Sequence, residues 1–137
     1  MESADLNRAV EAILRELDTR WGVEAAWLFG SQVRGARPDS DIDLAVLFRS
    51  LPDPVDLLDV RAELAQKAGA SVDVVDLYRA SPIIAFQALK TGRLVADHAP
   101  RRRIDFAAHL PSRYEDLMIM RRGIERAMMR RLGHGRT

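Results

Sequence analysis

Leu6, Val10, Ile13, Leu14 and Leu17 recur at intervals of three and four, with arginine and glutamate between them. That period predicts an amphipathic first helix ending near Trp21-Gly22. Ala25-Ala26-Trp27-Leu28-Phe29 is a short apolar run cut off by Gly30, and it reads as a buried strand. Residues 31–40 hold Gly35 and Pro38, and are expected to form a loop or a single helical turn. Asp41-Ile42-Asp43-Leu44-Ala45-Val46-Leu47 is the second strand. Pro52-Asp53-Pro54 then breaks the chain and can open a helix over 55–67, where Leu57, Leu58, Arg61, Leu64 and Ala65 fall at helical intervals before Gly69. Val72-Asp73-Val74-Val75-Asp76-Leu77 is a third strand. Ser81 is placed to cap a helix that has Pro82 at its first position and Gly92 beyond its end, and 93–96 forms a short fourth strand.

The remainder is helical. Leu117, Met120, Ile124, Ala127 and Met128 make one apolar stripe. Pro111 interrupts it, and Ser112-x-x-Glu115 has the form of a capping box, which predicts two helices over 101–110 and 112–132, or one kinked helix. The order α-β-β-α-β-α-β-α implies an α/β (α+β) fold, a small mixed β-sheet flanked by helices.

A chain of 137 residues fits one domain, with residues 1–98 as its core and 99–137 as a C-terminal helical extension of it. Hydrophobic residues make up 47% and charged residues 30%, which excludes a disordered tail. The absence of cysteine excludes disulfides and thiolate metal sites. The acidic start Met1-Glu2-Ser3-Ala4-Asp5 is unlike a signal peptide, and no apolar run approaches the roughly 20 residues of a membrane span, so the expected location is the cytoplasm. Charge is divided unevenly. Residues 1–100 carry 11 basic against 16 acidic side chains, and residues 101–137 carry 10 against 4. The basic end, with Arg101-Arg102-Arg103, suits either a solvated helix face or contact with RNA, nucleotide phosphates or an acidic partner.

Strand side chains alternate, so Asp41 and Asp43 share one face while Ile42 and Leu44 enter the core. Two neighbouring carboxylates repel, and a cation that compensates them gives the pair a purpose. Mg²⁺ is the natural choice, a hard ion held by carboxylates together with substrate phosphates. Asp73 joins the same face if its strand is a neighbour. Three carboxylates then suffice for two ions about 3.5–4 Å apart around a transferred phosphoryl group. Gly30-Ser31 supplies the other half: glycine at a strand end lets the backbone approach a ligand, and the next N–H groups and the serine hydroxyl donate to an anion.

The stretch Gly30-Ser31-Gln32-Val33-Arg34-Gly35-Ala36-Arg37-Pro38-Asp39-Ser40-Asp41-Ile42-Asp43-Leu44 resembles the signature of minimal nucleotidyltransferases in the DNA polymerase β superfamily. The likeness runs on through 72–77 and Ser81-Pro82, covering about residues 23–97. Nine residues separate Ser31 from Asp41, one fewer than in many antitoxin members. The resemblance implies a polymerase β-like fold and an ATP- and Mg²⁺-dependent transfer of AMP to a protein hydroxyl. Asp41, Asp43 and Asp73 would be the catalytic and metal-binding residues, and Gly30, Ser31 and Arg34 the phosphate-binding ones. It also implies an antitoxin whose partner is a HEPN-type ribonuclease toxin, the two forming a hetero-oligomer. Two alternatives stand beside this reading. One is a binding module that silences its partner by contact, and the other is nucleotidyl transfer to a small molecule or RNA.

Elsewhere the residues suggest plainer roles. Asp39 and Asp76 read as turn and surface positions, and Arg37 as a partner for either phosphate or surplus aspartate. His98, His109 and His134 lack metal-ligand spacing and read as surface residues, while Tyr78 and Tyr114 read as packing residues. Met118, Met120, Met128 and Met129 cannot all share one buried stripe, so part of the last helix is a candidate interaction surface.

Overall fold

The computed structural model describes residues 3–30 and 41–134. Along the chain run α1 (Ser3–Trp21), β1 (Val23–Phe29), β2 (Ile42–Phe48), α2 (Pro54–Ala68), β3 (Val72–Asp76), α3 (Pro82–Thr91), β4 (Arg93–Asp97) and α4 (Pro100–His134). Local chemistry sets several of these limits. The Asp53 carboxylate accepts from the N–H groups of Val55 and Asp56, so α2 opens capped, with Pro54 where no donor is needed. Ser81 does the same for α3 through the N–H of Ile83. The N–H of Gly92 donates to Ala88 O, and the chain turns extended into β4.

The four strands form one mixed sheet in the order β3-β2-β1-β4. β1 is antiparallel to both β2 and β4, and β2 is parallel to β3. A parallel pair needs a crossover, and α2 provides it. Alternating side chains then divide the core in two. Leu6, Val10, Ile13, Leu14 and Leu17 of α1, with Leu57, Val60 and Leu64 of α2, cover the face bearing Leu28, Ile42, Leu44, Val46 and Val74. Ala85 and Ala88 of α3, with Phe106 and Leu110 of α4, cover the face bearing Ala25, Trp27, Ala45 and Leu47. β2 is therefore apolar on both faces from Leu44 onward, and of its seven residues only Asp43 escapes the core.

The C-terminal region takes the one-helix alternative and does not divide into two helices. A single helix of 35 residues passes through Pro111, and the Ser112–Glu115 capping box does not form because there is no helix start to cap. Phe106 and Leu110, one turn before the proline, are anchored in the core, so packing holds the backbone helical where one N–H is missing. Nor does the predicted apolar stripe bury itself. Met120, Ile124 and Met128 are exposed, as are Ile119, Met129 and Leu132.

Glu24 ties the start of α4 to the sheet and is the buried carboxylate that hydrophobic patterning passes over. The Tyr78 hydroxyl donates to its carboxylate at 2.6 Å, and Arg102 Nε lies 3.6 Å from the other carboxylate oxygen. Its main-chain carbonyl accepts from the N–H groups of His98 and Ala99. Tyr78 thus does more than pack, although its ring also meets Phe106 edge-on. Burial first, and then the Glu24 carboxylate, push the Tyr78 phenol up to about 12 from its ordinary 10.0. The folded state holds that proton more tightly than the unfolded chain, so the stability it confers is present below about pH 10 and is lost as pH rises towards 12. Tyr78→Phe removes the donor and is expected to cost about 1–2 kcal/mol, a fall in Tm of about 2–6 °C by thermal denaturation at pH 7.

Candidate active site

The antiparallel register places Phe29, the last residue of β1, opposite Asp43 of β2, and Gly30 follows directly. Gly30 has φ +81°, a left-handed conformation that glycine adopts without strain. A Cβ at this position would run into the Asp43 carboxylate, whose Oδ2 is the nearest atom. The glycine backbone and the aspartate side chain are therefore packed against one another, and a Cβ between them would force the Asp43 carboxylate to move.

On its other side, β2 runs parallel to β3 with Ile42 paired to Val72 and Asp43 to Asp73. The N–H of Ile42 donates to Ser71 O at 2.8 Å, which fastens this register at its open end. Asp41 precedes the strand by one residue and is exposed, whereas Asp43 is partly buried. Burial raises the Asp43 carboxyl above the ordinary carboxylate range, and the negative charges of Asp73 and then Asp41 raise it further. Among the described residues, acidic charge therefore outweighs basic charge at this corner, with Asp41, Asp43 and Asp73 against Arg61.

Asp73 is a register neighbour of Asp43, yet its carboxylate is engaged elsewhere. Its Oδ1 lies 2.7 Å from Nη2 of Arg61 on α2. Among the described residues, no group of three or more Asp, Glu or His side chains is arranged around a single ion position. The backbone brings the three predicted aspartates to one end of the sheet, while this ion pair draws the third toward α2. Arg61 escaped the reading of the sequence as a site residue. Its signal was an arginine inside the apolar stripe of Leu57, Leu58, Leu64 and Ala65, where a long charged side chain needs a partner.

Ser31, Arg34, Arg37 and Asp39 lie outside the described residues. Asp76, expected at the surface, is instead 10% exposed at its side chain and holds the turn after β3 by accepting from the Tyr78 N–H at 3.2 Å. Burial raises its carboxyl, opposed by Arg79 and by the N–H groups of Tyr78 and Arg79. His98 is exposed, with its Nδ1 2.9 Å from Val23 O, and His109 lies on the outer face of α4. Among the described residues, no helix is long and apolar enough to cross a membrane.

The donor set at this corner consists of hard carboxylate oxygens with excess negative charge beside a glycine backbone. Such a set fits a divalent cation such as Mg²⁺ carrying a phosphate ligand. Comparison with known proteins identifies the family. Residues 11–101 match the family described as polymerase beta, nucleotidyltransferase. The protein adenylyltransferase MntA of Thermococcus cleftensis is 38% identical over 71 residues, which are 48% of this chain and 72% of that protein. A chain in the crystal structure of a toxin–antitoxin with AMP-PNP superposes with a TM-score of 0.74 at 27% identity, covering 90% of this chain and 98% of its own. A chain from the tri-AMPylated Shewanella oneidensis HEPN toxin in complex with its MNT antitoxin gives 0.72 at 26%, covering 94% and 99%. With its mixed sheet, flanking helices and paired strand aspartates, the chain belongs to the polymerase β nucleotidyltransferase family.

Proposed function

We propose that this nucleotidyltransferase moves AMP from ATP to a hydroxyl of a HEPN-type toxin protein, and so serves as the antitoxin of a toxin–antitoxin pair. The observation that carries the chemistry is the corner at which Asp43 pairs in register with Asp73 and rests against the Gly30 backbone. The acceptor and partner are supported by the relatives named above, one a protein adenylyltransferase and others chains of toxin–antitoxin complexes.

Asp41, Asp43 and Asp73 would hold two Mg²⁺ ions, which when bound would offset the charge of the triphosphate and of the transition state. The Gly30 backbone leaves room for phosphate oxygens, and Ser31 and Arg34 would donate to them. Asp73 would also assist in taking the proton of the incoming hydroxyl. The hydroxyl oxygen then bonds to the α-phosphorus, the α–β phosphoanhydride bond breaks, and pyrophosphate leaves with its electron pair. Catalysis of this kind is mostly positioning and charge neutralisation, so the chain supplies carboxylates and backbone and needs no covalent nucleophile.

The test is transfer of label from α-labelled ATP, with Mg²⁺, to a purified HEPN-type toxin protein. Wild type is expected to label it, and the Asp41→Asn, Asp43→Asn double variant to lose at least about 10²-fold in rate. Labelling that survives the double substitution overturns the site. A contact-only antitoxin is the second reading, favoured by the exposed Ile119, Met120, Ile124, Met128, Met129 and Leu132 of α4. It predicts that the double variant still silences the toxin although labelling has ceased.

A further inference from the structure

Arg61 occupies a position that catalysis by three aspartates does not explain. It lies on α2, the crossover helix, and reaches the start of β3, where its Nη2 meets Asp73 Oδ1 at 2.7 Å. The guanidinium is only about one-third exposed, and its Nε is buried without a hydrogen-bond partner among the described residues. A groove of about 470 Å³ beside α2 is lined by Asp41, Asp59, Arg61, Ser71 and Asp73, among others. The ion pair therefore borders the acidic corner on its α2 side. An arginine that only solubilised α2 would extend into water, where all three of its nitrogens find partners. Here one nitrogen forgoes a partner while another holds the third aspartate.

We propose that Arg61 is a built-in competitor for Asp73: it holds that carboxylate toward α2 until a divalent cation at Asp41 and Asp43 displaces it. Arg61 acts through Asp73 and is a positioning residue. Two observations meet in this inference. The register makes Asp43 and Asp73 direct neighbours, and yet among the described residues no three acidic side chains surround one ion position. The one described contact that draws Asp73 aside is the Arg61 guanidinium. A cation arriving at Asp43 changes the balance, because Asp73 then gains a doubly charged partner in exchange for a singly charged one. The ion pair is part-exposed and hence weak, which lets it yield. In the cation-free protein it limits the repulsion between Asp73 and Asp43. The inference rests on the reading of Asp41, Asp43 and Asp73 as cation ligands.

Mn²⁺ binding to the full chain without nucleotide tests it, followed by titration calorimetry or by the electron paramagnetic resonance of free Mn²⁺. The wild type, Arg61→Gln, Asp73→Asn and the double variant form a cycle. Arg61→Gln is expected to tighten Mn²⁺ binding about three- to fivefold, equivalent to about 0.7–1 kcal/mol. In the Asp73→Asn background the same substitution is expected to change nothing. Tightening of equal size in both backgrounds overturns the inference, since it marks a general loss of positive charge. Unchanged or weakened binding in Arg61→Gln overturns it too. Arg61→Met, which matches the length of the buried stem without an unpaired Nε, is expected to repeat the result and serves if the glutamine variant does not fold. Absence of Mn²⁺ binding in the wild type overturns both this inference and the metal reading beneath it. Binding that ignores Arg61 overturns this inference alone.

Discussion

Asp43→Asn is expected to raise the Tm of the cation-free protein at pH 7 by about 1–4 °C while lowering AMP transfer by about 10²–10³-fold. The two effects have one origin. Burial and the charges of Asp73 and Asp41 lift the Asp43 carboxyl above its ordinary 3.8, so the folded protein binds that proton more tightly than the unfolded chain does. Stability therefore falls as pH rises from about 3.8 through the raised value, and at neutral pH the ionised group opposes folding. Asparagine carries no such charge. The advantage of the variant is expected to open across that window and to vanish below pH 3.8. Asp76 is raised in both proteins and cancels in the comparison. Melting curves over pH, set beside labelling rates, measure both halves; a variant less stable than wild type at pH 7 contradicts the electrostatic account.

Gly30→Ala is expected to have the other large effect. A left-handed residue with a Cβ costs about 1–2 kcal/mol, and here the added carbon also drives into the Asp43 carboxylate. The expected fall in Tm is about 3–8 °C. Activity suffers beyond that loss, because moving Asp43 by about 1 Å misplaces the chemistry and can cost about 10²-fold. Gly22 provides the control. It also has positive φ, but its Cβ would meet the flexible side chain of Arg49 at the far end of β1. Gly22→Ala is expected to lower Tm while leaving labelling of the folded fraction near the wild-type rate. Equal activity in the two variants would show that Gly30 matters only as a turn.

The elements were legible in the sequence where a period met a punctuation mark. Apolar spacing from Leu6 to Leu17 followed by Gly22 defined α1, and Asp53-Pro54 and Ser81-Pro82 announced the helices that they cap. The helix boundary at Pro111 failed because a local rule about proline met long-range packing. Phe106 and Leu110 are held by strands some 60 to 80 residues earlier, which no window around the proline can register. The pairing of Asp43 with Asp73 was legible only as a condition on strand order. Asp41-x-Asp43 fixed a face, but neighbouring strands are a property of the sheet. Glu24 needed the third dimension outright, since its partner Tyr78 lies 54 residues away, whereas Arg61 showed in the sequence only as a charge within an apolar stripe whose partner the fold reveals.

The position of β3 has one more consequence. It is a boundary strand of the sheet, five residues long, and apart from Asp73 and Asp76 it is made of valine. A short valine-rich border with free main-chain groups is a template on which another chain can stack. The two carboxylates interrupt that template, so Asp73, proposed above for catalysis, would also guard against edge-to-edge stacking. Selection on such a strand is doubly constrained. A lineage that lost the reaction would still need a charge, or some other block, at the place of Asp73.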